Sequence, residues 1–224
     1  MSWRRKGSSR GWVGRPEAPV QVIAMSAHTQ TLATLHRHPD TACTAVESIN
    51  SFLLWHKGPV LTVTYVLNGV VDRLRIPSDP PARRVDDLWQ HTCFELFIGA
   101  KNDAEYYEFN FSPTGEWAAY SFRDYRDGGQ CKDDEIAPKI TVQRNTASLE
   151  LSAVIRFNHL LGIQPDVCLC IGLSSVIEDL NGALSYWALK HPPGKPDFHH
   201  SDNFALEFEP KVVDGAAIEY TSKP

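Results

Sequence analysis

Residues 106–117 read YYEFNFSPTGEW. Strand-forming aromatics alternate there with Glu108 and Asn110, two polar groups that a plain core strand does not need. Successive side chains of a strand point to opposite faces, so Tyr107, Phe109 and Phe111 share one face and Tyr106, Glu108 and Asn110 share the other. Ser112-Pro113-Thr114-Gly115 then fits a type I turn, with Pro fixing φ at the second position and Gly at the fourth. EWAAYSF therefore returns antiparallel to the first strand. Working backwards, HTCFELFIG (91–99) offers Phe94, Leu96 and Ile98 as partners for the aromatic face. Cys93, Glu95 and Phe97 are left beside Tyr106, Glu108 and Asn110. That second face is either a solvated surface or the floor of a binding site, and Cys93 and Phe97 beside the carboxylates favour partial cover.

The same punctuation runs through the chain. VLTVTYVLNGVVDRLRIP (60–77) carries Asn68-Gly69 between two β-branched runs, which predicts a hairpin turning at that pair. KITVQR (139–144), SLELSAVIRF (148–157), CLCIGLSSVIE (168–178), ALSYWALK (183–190) and FALEFE (204–209) read as further strands. FNHLLG (157–162) is the one helical candidate, about one turn long. Many short strands with turn signals predict an all-β, antiparallel sandwich of jelly-roll or immunoglobulin-like form. The expected division is a disordered basic tail at 1–24, one domain at 25–210 and a C-terminal extension at 211–224.

Composition narrows the function. The chain has 224 residues, 42% of them hydrophobic, and a formal net charge of −5. Its first 20 residues hold five basic groups against one acidic, so the remainder is more acidic still. An acidic body is a poor surface for phosphate backbones, and nucleic acid is not an expected partner. No run approaches the roughly 20 apolar residues that span a bilayer, and Pro16, Glu17 and Pro19 interrupt any secretory apolar segment. Five cysteines with no C-x-x-C pair read as reduced thiols. A cytoplasmic protein with no membrane partner is expected.

The central pattern resembles the DOMON-like superfamily, which also includes the family 9 carbohydrate-binding modules. The residues that carry the resemblance are LWQHTCFELFIGAKNDAEYYEFNFSPTGEWAAYSF (88–122), with its E-x-F strand followed by Y-x-E-F-x-F-S-P-x-G. LSYWALKHPPGKPDFHHSDNF (184–204) is similar to the end of a bacterial stand-alone subgroup. The resemblance implies a β-sandwich holding sugar or haem on its concave face. Haem-type members use a Met and a His on the iron, but the only methionines are Met1 and Met25, so no cofactor is expected. Sugar-binding members stack the ligand on tryptophan; Trp89, Trp117 and Trp187 lie in the resembling segments, and core filling is the competing role for each.

The site expected from these readings comprises Trp89, His91, Glu95, Glu108, Asn110, Trp117, Arg123 and Arg126. Carboxylates and an amide would bond hydroxyl groups, Trp117 would stack, and Arg123 or Arg126 would meet any anionic group. The ligand would be a small molecule, a sugar or a nucleotide-linked sugar. Local pairing within FRDYRDGGQ (122–130) is the plainer account of the two arginines. His191, Asp197, His199 and His200 share a Pro-rich loop, but their spacing matches no metal motif and no metal is expected. Non-catalytic binding of a carbohydrate-like molecule is thus the primary expectation. The alternatives are an enzyme using paired carboxylates or a metal on a sugar derivative, and a protein-interaction module.

Overall fold

The computed structural model describes residues 30–56, 58–77, 82–131, 134–158, 160, 162–164 and 167–210. The expected tail at 1–24 and the extension at 211–224 lie outside these residues. Among those described, the chain forms β1 (Gln30–Arg37), β2 (Val46–His56), β3 (Val60–Gly69), β4 (Cys93–Ala100), β5 (Tyr106–Phe111) and β6 (Trp117–Asp124). There follow β7 (Asp127–Gln130), β8 (Lys139–Arg144), β9 (Ser148–Arg156), β10 (Leu169–Glu178), β11 (Leu184–Ala188) and β12 (Leu206–Phe208), with four short 3-10 turns between strands. The all-β sandwich is the fold.

One sheet has the order β1-β2-β3-β9-β8 and the other β7-β6-β5-β4-β10-β11, with β12 added to the start of β10. Neighbouring strands are antiparallel throughout, and β1 links the sheets by pairing His36 and Arg37 with Ala188 and Trp187 of β11. Leu61, Val63, Tyr65 and Leu67 of β3 and Leu149, Leu151, Ala153 and Ile155 of β9 face inward from the first sheet. Phe94, Leu96, Ile98, Phe109 and Phe111 of β4 and β5 meet them from the second. Each of the large apolar side chains removed from water in this way contributes about 1.5–3 kcal/mol. Tyr65 crosses the core and donates its hydroxyl to the carbonyl oxygen of Glu95 at 2.6 Å. That bond ties the inner face of β3 to the strand carrying the candidate site.

Two local expectations change. Asn68-Gly69 makes no hairpin: both residues end β3, paired with Ser48 and Val46 of β2. Gly69 is required for close approach instead, since a Cβ there would lie 2.1 Å from the carbonyl oxygen of Ala45. The register shift between Val46 and Ser48 brings that carbonyl in. The described residues of FNHLLG are not helical; the amide of Leu160 bonds the carbonyl of Phe157 in a single turn. The turn at Ser112–Gly115 forms as read, with the amide of Gly115 on the carbonyl of Ser112 at 2.9 Å.

Candidate functional site

β4 is the strand that departs from a simple sandwich, because seven of its eight residues are buried. Strands covered on both faces are normally apolar throughout, yet Glu95 sits in the middle of this one with 2% of its surface exposed. The pairings Glu95 with Asn110 and Phe97 with Glu108 put these residues on one face, as the alternation predicts. Glu95 and Glu108 are therefore diagonal neighbours on the face turned away from the core. Ala118, Tyr120 and Phe122 of β6, Ser174 and Val176 of β10 and Tyr186 of β11 continue that face. A solvated outer surface is excluded, since Cys93, Glu95, Phe97, Glu108 and Asn110 are all buried.

The cover comes from two segments. The turn Leu88–Gln90 is pinned by Leu88 against Cys93 and Ala118, which leaves Trp89 49% exposed beside the sheet. The loop between β11 and β12 brings Lys195, Pro196, Phe198 and His199 over it. Between cover and sheet lies a cavity of about 550 Å³, walled by Trp89, Phe97, Tyr120, Phe122, Tyr186 and Phe198 and floored by Glu95 and Glu108. Its volume is that of an ordinary small-molecule site.

The polar floor is a connected chain. The thiol of Cys93 points to Asn110 Oδ1 at 3.6 Å, and Asn110 Nδ2 donates to Glu108 Oε1 at 2.8 Å. Ser174 Oγ donates to Glu95 Oε2 at 3.3 Å. The amide of Arg126 donates to the Tyr106 hydroxyl at 3.2 Å, which leaves that hydroxyl's proton for His199 Nδ1 at 2.9 Å. The imidazole proton then resides on Nε2, facing Glu108 Oε2 at 3.6 Å. Arg126 is turned aside, with its guanidinium on Asp197 Oδ1 at 2.8 Å.

Burial sets the charge states. It holds the Glu95 carboxyl well above the usual carboxylate range, and neighbouring Glu108 pushes the same way. Burial raises Glu108 to about 7 against the hydrogen bond from Asn110 and the field of Arg126. It also lowers His199 to about 4, with Arg126 reinforcing and Asp197 opposing. His199 is thus a neutral imidazole at neutral pH and Glu108 is poised between its two forms, while burial and Glu108 both favour the protonated form of Glu95.

Trp89, Glu95, Glu108 and Arg126 line the cavity, and Asn110 supports Glu108 from beneath. Trp117 is turned away: it pairs directly with Phe111, shares that residue's inward face and packs in the main core. Trp187 is in the same core. Arg123 is tied to Asp127 at 3.1 Å outside the cavity, so the two arginines do not converge as an anion clamp. His91 bonds Glu178 Oε2 at 2.8 Å, also outside. Of the loop quartet, Asp197 and His199 approach the site. His191 bonds the carbonyl of His36, and His200 caps the turn at Ser201–Asn203. Among the described residues no group of three or more His, Cys, Asp or Glu is arranged to hold a metal ion.

Sequence reading missed Tyr120, Phe122, Tyr186 and Phe198. Tyr120 and Phe122 were legible in principle, since alternation forward from an inward Trp117 puts Ala118, Tyr120 and Phe122 on the opposite face. Phe198 sits in a loop without periodicity and gives no such signal.

No family model matches the chain, and no curated protein matches it. Solved structures do. A protein from Bacteroides uniformis ATCC 8492, provisionally described as carbohydrate-binding, superposes with a TM-score of 0.60 at 15% identity, covering 78% of this chain and 83% of that one. A family 9 carbohydrate-binding module from Caldicellulosiruptor kristjanssonii in complex with cellotriose gives 0.48 at 12% identity, over 81% and 83%. The likeness to the Bacteroides protein establishes a shared fold.

Proposed function

We propose that this protein binds a carbohydrate-like small molecule, without chemistry, in the cavity on the outer face of the second sheet. The observation that carries the reading is the carboxylate pair on the floor of an aromatic-walled cavity. Glu95 and Glu108 offer oxygen atoms for ligand hydroxyl or amine groups, while the ring of Trp89 presents an apolar face at the mouth. The fold shared with a protein provisionally described as carbohydrate-binding supports the same conclusion. All five cysteines are free thiols, which suits a reducing compartment such as the cytoplasm.

Thermal unfolding against neutral, amino and acidic monosaccharides tests the proposal. A sugar present at a hundred times its dissociation constant adds about 2.7 kcal/mol of stability. One class should raise the midpoint in the native protein and fail to do so in Glu108→Gln. No response to any sugar overturns the reading.

A second reading has one observation in its favour. A carboxyl group pushed toward its protonated form, a half-ionised carboxylate and a neutral imidazole in one cavity are the components of an acid-base enzyme. Turnover of a sugar derivative, lost in Glu95→Gln, would establish it.

A further inference from the structure

We infer that the ligand carries a protonated amine, seated between the carboxyl groups of Glu95 and Glu108 and the aromatic walls of the cavity. This rests on the cavity being the binding site and deepens the carbohydrate reading to an amino sugar.

The charges of the site do not balance by themselves. Asp87, Glu95 and Glu108 line the cavity and Asp197 stands beside it, four carboxyl groups against Arg126 and Lys195 as the cations among the described lining residues. Arg126 is already committed, with its guanidinium at 2.8 Å from Asp197 Oδ1 and its Nε at 3.4 Å from the Tyr125 hydroxyl. Lys195 and Asp87 also line the cavity, and both are exposed. The groups hydrogen-bonded to the pair are uncharged: Ser174 Oγ on Glu95 and the Asn110 amide on Glu108. His199 Nε2, at 3.6 Å from Glu108 Oε2, stands beyond hydrogen-bond length. One oxygen of each carboxyl thus has no hydrogen bond from the described residues.

A buried carboxylate poorly matched by a cation is costly, so burial pushes both acids toward their neutral forms. An arriving ammonium group changes the balance. It supplies three N–H donors, enough to reach both free oxygens, and it lets the carboxyl groups ionise against a matching charge. The six aromatic side chains around the cavity favour the same occupant, because the faces of Trp, Tyr and Phe attract cations once water is excluded. A neutral sugar uses only part of this arrangement.

Calorimetric titration of the full chain at mildly acidic pH with glucosamine, N-acetylglucosamine, glucose and cyclohexylamine tests the inference on the ligand side, leaving the protein intact. Glucosamine should bind tighter than glucose and N-acetylglucosamine by about tenfold or more, the difference a charged hydrogen bond makes. Glucose or the acetylated sugar binding as tightly as glucosamine overturns the amine inference and leaves the carbohydrate reading standing. Cyclohexylamine matching glucosamine, with the neutral sugars silent, supports the amine and removes the carbohydrate. Silence from all four overturns both.

Discussion

Oε2 of Glu108 stands 3.6 Å from Nε2 of His199, too far for a hydrogen bond and close enough for each to feel the other's charge. Glu108 on the cavity floor is buried and His199 in the cover nearly so, and loss of water drives them to their neutral forms from opposite directions, Glu108 up to about 7 and His199 down to about 4.

Their effects on stability therefore oppose. Glu108 binds its proton more tightly when folded, so its contribution is complete below pH 4.5 and is lost as pH rises through 7. His199 binds its proton less tightly when folded, so its contribution is present above pH 6.5 and is lost as pH falls through 4. Each is on the order of 3 kcal/mol. Glu95, also raised by burial, loses its contribution in the same direction as Glu108, so urea unfolding should show stability falling from pH 4.5 to past 7, offset in part by His199 below pH 6.5. Glu108→Gln should make that decline shallower by removing one of the two acids. Identical profiles in the two proteins would contradict these assignments.

Trp89 and Trp117 separate binding from packing. Trp117→Ala removes a ring from the core and should cost about 3–5 kcal/mol. Trp89→Ala removes a half-exposed ring, should leave stability within about 0.5 kcal/mol and should weaken sugar binding by about 1–3 kcal/mol. Equal stability losses in the two variants would show that Trp89 packs as a core residue and not as a wall of the cavity.

Tyr65→Phe deletes the hydroxyl that reaches the Glu95 carbonyl across the sandwich. The ring remains packed on Phe94, so the expected loss is that of one hydrogen bond, about 1 kcal/mol in chemical denaturation. A loss of 4 kcal/mol or so would mean that the ring itself shifts.

Gly69→Ala should destabilise by about 2 kcal/mol or more, because its Cβ would collide with the Ala45 carbonyl. A neutral substitution would show that the backbone at the β2 register shift yields freely.

The face assignment of the central hairpin was legible from alternation alone, because a period of two puts Phe94, Leu96 and Ile98 on the same face as Phe111, Phe109 and Tyr107, while the register itself came from the structure. The same rule places Trp117 inward opposite Phe111, and a stacking role for it does not survive the register. Asn68-Gly69 misled because glycine answers two needs, turning the chain and admitting a neighbouring carbonyl, and sequence does not distinguish them. β1 and β2 were not singled out. Ser51, on the inward face of β2, interrupts its apolar alternation and is satisfied by the carbonyl of Thr64 at 3.1 Å, a partner visible only once the strands are paired. The cover over the site was illegible for a different reason. Phe198 and His199 owe their position to a Pro-rich loop held by Asp197, Arg126 and Tyr125. Tertiary contacts, with no local period, fix that loop.

A crystal structure of the protein with a bound monosaccharide tests the central claim most directly. The sugar is predicted in the cavity beneath Trp89, with a hydroxyl or amine group within hydrogen-bond distance of Glu95 or Glu108. A sugar bound on any other surface, with the cavity filled by water, would contradict it.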